Sequence, residues 1–372
     1  MKEITEKLLS LKEVTDYTEN LKNKVSPITI LGLSDVSKAC ITAFTGESTK
    51  RRILLVTYNE LQAQKLHRDL KNMDTKVTYI PKKDIITYDY DVQSRDILYQ
   101  RIDGIVKLFN NEAEITVLSI ETLMQPILTK KQMKNSILKV LVAKEYNLEE
   151  IKEKLVYLGY ERCDMVEGKG TFSVRGDILD IAISNKNGIR IEFFGDEVDQ
   201  IRYFDISSQR STENVNQVQI FPITEEIEKE PNGSIIEYLS ESAIIVFDEL
   251  NKISLRSENI LNDNVFLIKD LIEKEKNVPY ILENMYNIEQ LLGQTANFQI
   301  VELDFQDIVQ GKENTITFKY EDIKQIDDKF LEITKQEKEK KTYKPRTRVS
   351  NEFREAEKIT FSDLKVRRLC ST

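Results

Sequence analysis

The chain has 372 residues and a net charge of −9, from 54 lysine and arginine residues against 63 aspartate and glutamate residues. This length is sufficient for two or three domains, each with its own core, and the acidic balance excludes a generic nucleic-acid-binding chain. There is no run of about eighteen apolar residues and no secretory signal at the start, so we expect no membrane association. Three widely separated cysteines and a single histidine argue against a disulfide framework or a histidine-rich metal centre, and they indicate a reducing, cytoplasmic location.

The chain alternates short apolar strands with amphipathic helices in its first part, and this character returns after residue 220. A charged amphipathic stretch over residues 1–23 predicts the first helix. Strands that alternate with helices predict a parallel α/β sheet. The predicted elements are the strands Ile28–Leu31, Ile53–Val56, Ile115–Ser119 and Ala243–Phe247 and the helices Asn59–Asp74, Glu121–Gln125 and Leu148–Leu158.

Three strand-like runs lie between these regions, and the sequences Asn-Lys-Asn-Gly and Gly-Asp-Glu separate them. Such sequences form hairpin turns, so the runs predict an antiparallel meander inserted into the α/β domain. The runs are Phe172–Ile183, Ile189–Phe194 and Gln200–Ile206.

The second run of the meander alternates with a period of two, which places alternate side chains on opposite faces. One face carries apolar residues and the other a mixed set; these are Ile189, Ile191 and Phe193 against Arg190, Glu192 and Phe194. An aromatic side chain among fixed charges is typical of a protein-binding face. The alternative is that Phe194 packs beneath a neighbouring helix inside a sandwiched sheet.

The loop after the first predicted strand has part of the pattern of a phosphate-binding loop, which requires G-x-x-x-x-G-K-[ST]. Gly32 and Lys38 fit this pattern, but Ser37 replaces the second glycine and Ala39 removes the hydroxyl that holds magnesium. An ordinary strand-to-helix turn is therefore favoured over ATP hydrolysis.

The strand that ends in Asp248 and Glu249 has the form of a Walker B strand, in which the acids hold magnesium and polarise the attacking water. Without a complete phosphate-binding loop, we interpret these acids as a remnant of a nucleotide-binding fold.

Several segments resemble a known family. VRGDILDI, RIEFFGDEVDQIR and FDISSQRS are similar to the module with which the excision-repair helicase UvrB and the transcription-repair coupling factors bind the damage sensor UvrA. The flanking segments YDYDVQSRDILYQRI and EAEKITFSDLKV resemble the coupling factors alone. The resemblance covers most of residues 10–255 and a patch around residues 355–366. It implies the amino-terminal part of a coupling factor, ending before the polymerase-interacting domain and the translocase motor.

The resemblance implies a role in binding rather than catalysis, namely recruitment of UvrA in transcription-coupled nucleotide excision repair. Matched position by position, it implies that Arg175, Arg190 and Phe194 contact UvrA, with Glu192 pairing with a basic residue of the partner. It implies no cofactor for this chain. ATP, magnesium, DNA and RNA polymerase are bound by other parts of the full-length family.

The expected organisation is a degenerate RecA/helicase-like parallel-sheet domain with an inserted antiparallel β-meander module and a flexible basic carboxy-terminal linker. The predicted segments are residues 1–140 and 212–260 for the α/β domain, 141–211 for the UvrA-binding module, 261–334 for an abbreviated module and 335–372 for the linker. We expect weak, salt-sensitive DNA binding by Lys335–Arg348.

Two alternatives stay open at this point. The first is a reduced helicase-like ATPase with a nucleotide site at Gly32, Lys38, Asp248 and Glu249. The second is a solely structural α/β domain, in which the face formed by Arg190 and Phe194 is buried within the chain.

Overall fold

A computed structural model of the protein describes residues 8–85, 95–227, 230–305 and 313–342, with side chains up to residue 335. The chain divides into two compact units, Met1–Asp327 and Asp328–Thr372. Residues 86–94 and 355–366, which carry part of the resemblance, lie outside the described residues. No helix within the described ranges has both the length and the apolar composition needed to cross a lipid bilayer.

The strands of the described residues belong to three sheets. In chain order they are β1 Ile28–Leu31, β2 Ile53–Thr57, β3 Val77–Tyr79, β4 Ile115–Ser119, β5 Leu138–Leu141, β6 Glu161–Arg162, β7 Thr171–Arg175, β8 Ile178–Ala182, β9 Asn187–Phe194, β10 Glu197–Asp205, β11 Ser211–Val215, β12 Gln217–Ile220, β13 Ile244–Asp248, β14 Gln299–Asp304 and β15 Thr315–Thr317.

The helices of the described residues begin with Lys12–Lys22 and end with a helix that reaches Thr342. In chain order they are α1 Lys12–Lys22, α2 Asp35–Thr49, α3 Glu60–Lys71, α4 Arg95–Phe109, α5 Ile120–Leu123, α6 Lys130–Ser136, α7 Leu148–Tyr157, α8 Leu250–Glu273, α9 Tyr280–Glu283, α10 Ile288–Gln294 and α11 Tyr320–Thr342. Polar side chains fix several helix starts, because their oxygen atoms accept from free backbone N–H groups of the first turn. Ser34 does this for α2 and Asn59 for α3.

The largest sheet is parallel and has the strand order β15-β1-β14-β13-β2-β4-β3. The four apolar strands predicted from the sequence all lie in it. Every residue of β1, β2, β4 and β13 is buried, as expected for a parallel sheet whose faces are both covered. The predicted α/β parallel sheet with a separate antiparallel sheet is therefore confirmed.

The antiparallel sheet has the strand order β11-β10-β9-β8-β7-β6, in which only the short pair β6 and β7 is parallel. The prediction of one strand over Phe172–Ile183 is wrong, because the chain reverses between β7 and β8. Gly176 lies at this turn with a φ of +59°, a left-handed conformation that glycine adopts without steric cost. The sequence Arg175-Gly176-Asp177 is a hairpin signal that the apolar character of the run concealed.

The two faces of the antiparallel sheet differ as the period of two predicts. Ile189, Ile191 and Phe193 point inwards and are buried in a core that includes Ile151 and Leu155 of helix α7. The opposite face, here called the outer face, carries Arg190, Glu192 and Phe194 together with the neighbours that the strand register brings beside them.

Two strands from the region predicted as an abbreviated module lie in the parallel sheet. β14 pairs with both β1 and β13, and β15 pairs with β1 at the edge. Where the domain boundaries fall stays a prediction. Residues 335–342 of the predicted basic linker belong to helix α11, and the rest of the linker, residues 343–372, lies outside the described residues.

Candidate functional site

The outer face ends in an exposed aromatic side chain. Phe194 is the last residue of β9 and is 84% exposed. It lies beside the turn to β10, where Gly195 has a φ of +63°. The side chain of Phe193, one residue earlier, points to the opposite face and is buried. An exposed phenylalanine at the rim of a sheet gains free energy when a partner covers it, since burying an apolar side chain of this kind contributes about 1.5–3 kcal/mol.

A buried carboxylate organises the arginines of the outer face. Asp180 on β8 is 1% exposed. Its Oδ1 accepts from Arg190 Nε at 2.7 Å and its Oδ2 from Arg190 Nη2 at 2.9 Å, which is a bidentate pair. Arg190 also lies over the ring of Phe204, with 4.8 Å between the guanidinium carbon and the ring centroid. Arg190 is therefore held in place by the protein itself.

Arg175 is more accessible than Arg190. Its Nη2 lies 3.2 Å from Asp180 Oδ2, while 53% of its side chain is exposed. A guanidinium group has five N–H donors, so most of the donors of Arg175 are free to bind a partner. Glu192 pairs with Arg202 of the adjacent strand. Next to Phe194, the outer face thus presents one accessible cation and one internally paired carboxylate.

Two hairpin turns meet at the rim that carries Phe194. The Phe193 backbone N–H donates to the Asp177 carbonyl at 2.8 Å, so the turn between β7 and β8 lies beside the turn between β9 and β10. Both turns contain a glycine at positive φ, and a Cβ added at Gly176 or Gly195 would meet no atom within 4 Å. The rim around Phe194 is therefore open to a partner.

The structure brings together the four outer-face residues predicted from the sequence, Arg175, Arg190, Glu192 and Phe194. Their part in binding a partner stays a prediction. Sequence reasoning missed two partners on this face: Asp180, which holds Arg190, and Arg202, which pairs with Glu192. The alternation of charged residues along β8 and β10 was the available signal, but only the strand register shows that they are neighbours.

The residues of the predicted nucleotide site also meet, but as an internal ion cluster. Lys38 Nζ lies 2.6 Å from Asp248 Oδ1 and 2.6 Å from Glu249 Oε1. Only 3% of the Lys38 side chain is exposed. Gln62 Nε2 donates to the other oxygen of Asp248 at 3.0 Å, and the Phe305 backbone N–H donates to Glu249 Oε1 at 3.1 Å. The amine that would bind a phosphate is therefore fully engaged by protein carboxylates.

Another acid occupies the start of helix α2, where a phosphate would bind. Asp327 Oδ1 accepts from Ser34 Oγ at 2.8 Å and from Ser37 Oγ at 2.7 Å. Gly32, with a φ of +86°, lies against the chain after β15, because an added Cβ would come within 2.8 Å of the Phe318 carbonyl oxygen. Carboxylate and carbonyl oxygens of the protein therefore lie against the loop from Gly32 to Lys38, and oxygens of this kind repel the phosphates of a nucleotide.

The electrostatics of this cluster favour a charged lysine. Burial by itself lowers the pKa of Lys38, but Asp248 and Glu249 outweigh burial, and the net shift is upwards. Burial raises the pKa of Asp248 although Lys38 lowers it, and the neighbouring carboxylate of Glu249 raises it further. Lys252 Nζ lies 3.6 Å from Glu249 Oε2, so two lysines balance the two carboxylates, and a polyphosphate would have to compete with these acids for Lys38.

Comparisons with known proteins find relatives for the part of the chain that contains the outer face. Residues 138–225 match the family described as UvrB interaction domain. The chain is 34% identical to the transcription-repair-coupling factor of Bacillus subtilis (strain 168) over 210 residues, which are 56% of this chain and 18% of that protein. It is 28% identical to that of Staphylococcus epidermidis (strain RP62A) over 306 residues, which are 66% of this chain and 26% of the relative. The corresponding protein of Staphylococcus haemolyticus (strain JCSC1435) is 33% identical over 195 residues, 52% of this chain and 17% of the relative.

Residues 138–225 are thus similar to the UvrB interaction domain, within a region similar to the transcription-repair-coupling factors, and the resemblance predicted from the sequence is confirmed. The match over residues 138–225 contains β5 to β12 and therefore all four outer-face residues. The matched regions amount to about a quarter or less of the length of those relatives.

Proposed function

We propose that the outer face of the antiparallel sheet binds UvrA, and that the chain recruits it for nucleotide excision repair coupled to transcription. The observation that carries this proposal is the exposure of Phe194, 84% of which is open to solvent, within a segment that matches the UvrB interaction domain. A solely structural domain would bury the whole outer face. In this structure the part around Arg190 is covered, whereas the part around Phe194 is exposed. The proposal concerns binding and assigns no reaction to the chain.

Each outer-face residue has a distinct part in the proposed contact. Phe194 fills an apolar pocket of the partner, and aromatic anchors of this kind dominate many interfaces. Arg175 contributes free guanidinium donors to a carboxylate of the partner. Arg190, fixed by Asp180, positions the surface and contributes a cation at its centre. The arrangement therefore favours a partner with an apolar pocket bordered by acidic residues.

A nucleotide-dependent activity is less well supported. Lys38 is engaged by Asp248 and Glu249, and Asp327 lies at the start of helix α2. Because ATP would have to displace these carboxylates and bring its own negative charge, we propose that this loop is a structural remnant. The resemblance implies contacts with DNA and RNA polymerase for the full-length family, and these contacts stay proposals.

The direct test is titration of the protein with UvrA by calorimetry. Phe194→Ala should weaken binding by about 2 kcal/mol, which is roughly 30-fold in Kd. Its melting temperature should not change, since the ring is exposed. Phe266→Ala is the matched control, because Phe266 on α8 is also exposed, at 71%, but lies outside the matched domain. Equal affinity of the Phe194→Ala and unaltered proteins for UvrA would refute the proposal.

A further inference from the structure

A second candidate site lies away from both the outer face and the Lys38 cluster. It is a cleft of about 460 Å³ between helices α3 and α4, the edge strand β3 and the hairpin that joins β8 to β9. Its walls therefore come from the parallel-sheet part and from the antiparallel module. The volume lies within the range of about 300–1,000 Å³ that is usual for small-molecule sites.

Basic side chains from two helix ends converge on this cleft. His67 and Lys71 are one turn apart on α3, so they lie on the same face of that helix. Lys107 lies in the last turn of α4. A helix carries partial negative charge at its carboxy-terminal end, which favours a lysine there. The positive charges that converge on the cleft are therefore those of the Lys71 and Lys107 side chains, and they must outweigh the two helix ends for an anion to bind.

Two of the three lysines that line the cleft have no acidic partner among the described residues. Neither Lys71 nor Lys107 has an ion pair with any residue that the structure describes. The acid Asp103 is already engaged, because it pairs with Lys169. Asp96 is the other acid that lines the cleft. Burial, followed by the charges of Lys71 and Lys107, lowers the pKa of His67 below its ordinary value of 6.5. Because the two lysine charges contribute to this shift, an anion bound between them should favour the imidazolium form of His67.

The polar wall opposite these bases is preorganised. Lys169, from the antiparallel module, lies 5.1 Å from the centroid of the Tyr99 ring. Gly170, the next residue, approaches Tyr99 so closely that an added Cβ would come within 2.6 Å of its hydroxyl oxygen. Ser184 and Asn185 of the hairpin supply further hydrogen-bonding groups. A ligand in the cleft would therefore contact both parts of the unit at once.

We propose that this cleft binds a small phosphorylated ligand, with Lys71 and Lys107 contacting the phosphate and His67 as a third donor. A phosphate group has several strong acceptor oxygens, which suits a set of convergent N–H donors. A nucleic-acid strand is less suitable, because it requires exposed aromatic rings for base stacking. Both aromatic rings that line the cleft are engaged by the protein: Tyr79 is only 6% exposed and donates its hydroxyl to Glu60, and Lys169 lies over the ring of Tyr99. The proposal does not depend on UvrA binding.

The single histidine of the chain provides a direct reporter. The pKa of His67 would be measured from the pH dependence of its imidazole proton resonances in the full chain, with and without pyrophosphate. Saturable binding should raise the pKa of His67, because the anion offsets the two lysine charges. Lys71→Gln/Lys107→Gln should raise the pKa of His67 in the free protein and weaken pyrophosphate binding by about tenfold for each lysine.

Controls separate this site from general attraction of anions. Lys131→Gln/Lys134→Gln removes two exposed lysines of helix α6, and it should leave both the pKa of His67 and pyrophosphate binding unchanged. Inorganic phosphate and adenosine monophosphate distinguish a free anion from a phosphate ester, and binding of either at this site supports the proposal. An unchanged titration of His67 in pyrophosphate, or equal binding by the Lys71→Gln/Lys107→Gln protein, would overturn it. A higher affinity for oligothymidylate that grows with its length would also overturn it, in favour of a nucleic-acid groove.

Discussion

Lys38→Ala discriminates between a structural ion cluster and a working nucleotide site. The substitution leaves Asp248 buried with Gln62 as its remaining partner, and it leaves Glu249 with the Phe305 backbone N–H and with Lys252, whose Nζ lies 3.6 Å from Glu249 Oε2. Removing one partner of a buried ion pair costs about 3–5 kcal/mol, because an uncompensated charge stays in the interior. The first unit, residues 1–327, has an unfolding entropy on the order of 0.7 kcal/mol/K at about 2.1 cal/mol/K per residue. The melting temperature should therefore fall by roughly 4 to 7 °C.

The assay is thermal and urea denaturation of each variant, with and without ATP and magnesium. Lys65→Ala is the matched control, since Lys65 pairs with Asp35 but 41% of its side chain is exposed, and its loss should cost less than about 1 kcal/mol. Lys38→Met combined with Asp248→Asn and Glu249→Gln should recover most of the lost stability, because no buried charge then remains unpaired. The reasoning is refuted if Lys38→Ala keeps its melting temperature and abolishes a stabilisation by ATP that the unaltered protein shows.

Two further predictions concern packing and pH. Gly188→Ala should destabilise the antiparallel module by about 1–3 kcal/mol in urea denaturation, since its Cβ would come within 2.4 Å of the buried Phe204 ring; an unchanged midpoint would contradict this. Only 11% of the Glu121 side chain is exposed, and although burial raises its pKa, its ion pairs with Lys82 and Arg256 outweigh burial and hold the pKa below the ordinary value of 4.5. The two ion pairs of Glu121 therefore stabilise the fold above pH 4.5, and this stabilisation is lost as the pH falls through the lowered pKa. Glu121→Gln should accordingly flatten the acid side of a plot of unfolding free energy against pH. An acid side as steep as that of the unaltered protein would show that other carboxylates cause it.

The sequence by itself determined the elements whose residues carry a strong local pattern. The apolar runs at Ile53 and Ile244 have no polar alternation, and a strand of that composition is stable only when both of its faces are covered. The alternation from Ile189 to Phe194 fixed which side chains share a face, because the side-chain period of a strand is two. The same pattern left open whether Phe194 is exposed or packs beneath a helix, and the structure shows that it is exposed.

Tertiary structure alone decided which distant groups meet. Lys38 and Asp248 are 210 residues apart in sequence, and the parallel strand order brings both to the end of the sheet at which the strands finish. The sequence identified both residues but not that each neutralises the other, because the pairing depends on the burial of both side chains. No local pattern assigns a partner to Asp180, and only the strand register places it opposite Arg190. A local pattern specifies the direction of a side chain, whereas its partner, its burial and therefore its charge state are properties of the packed fold.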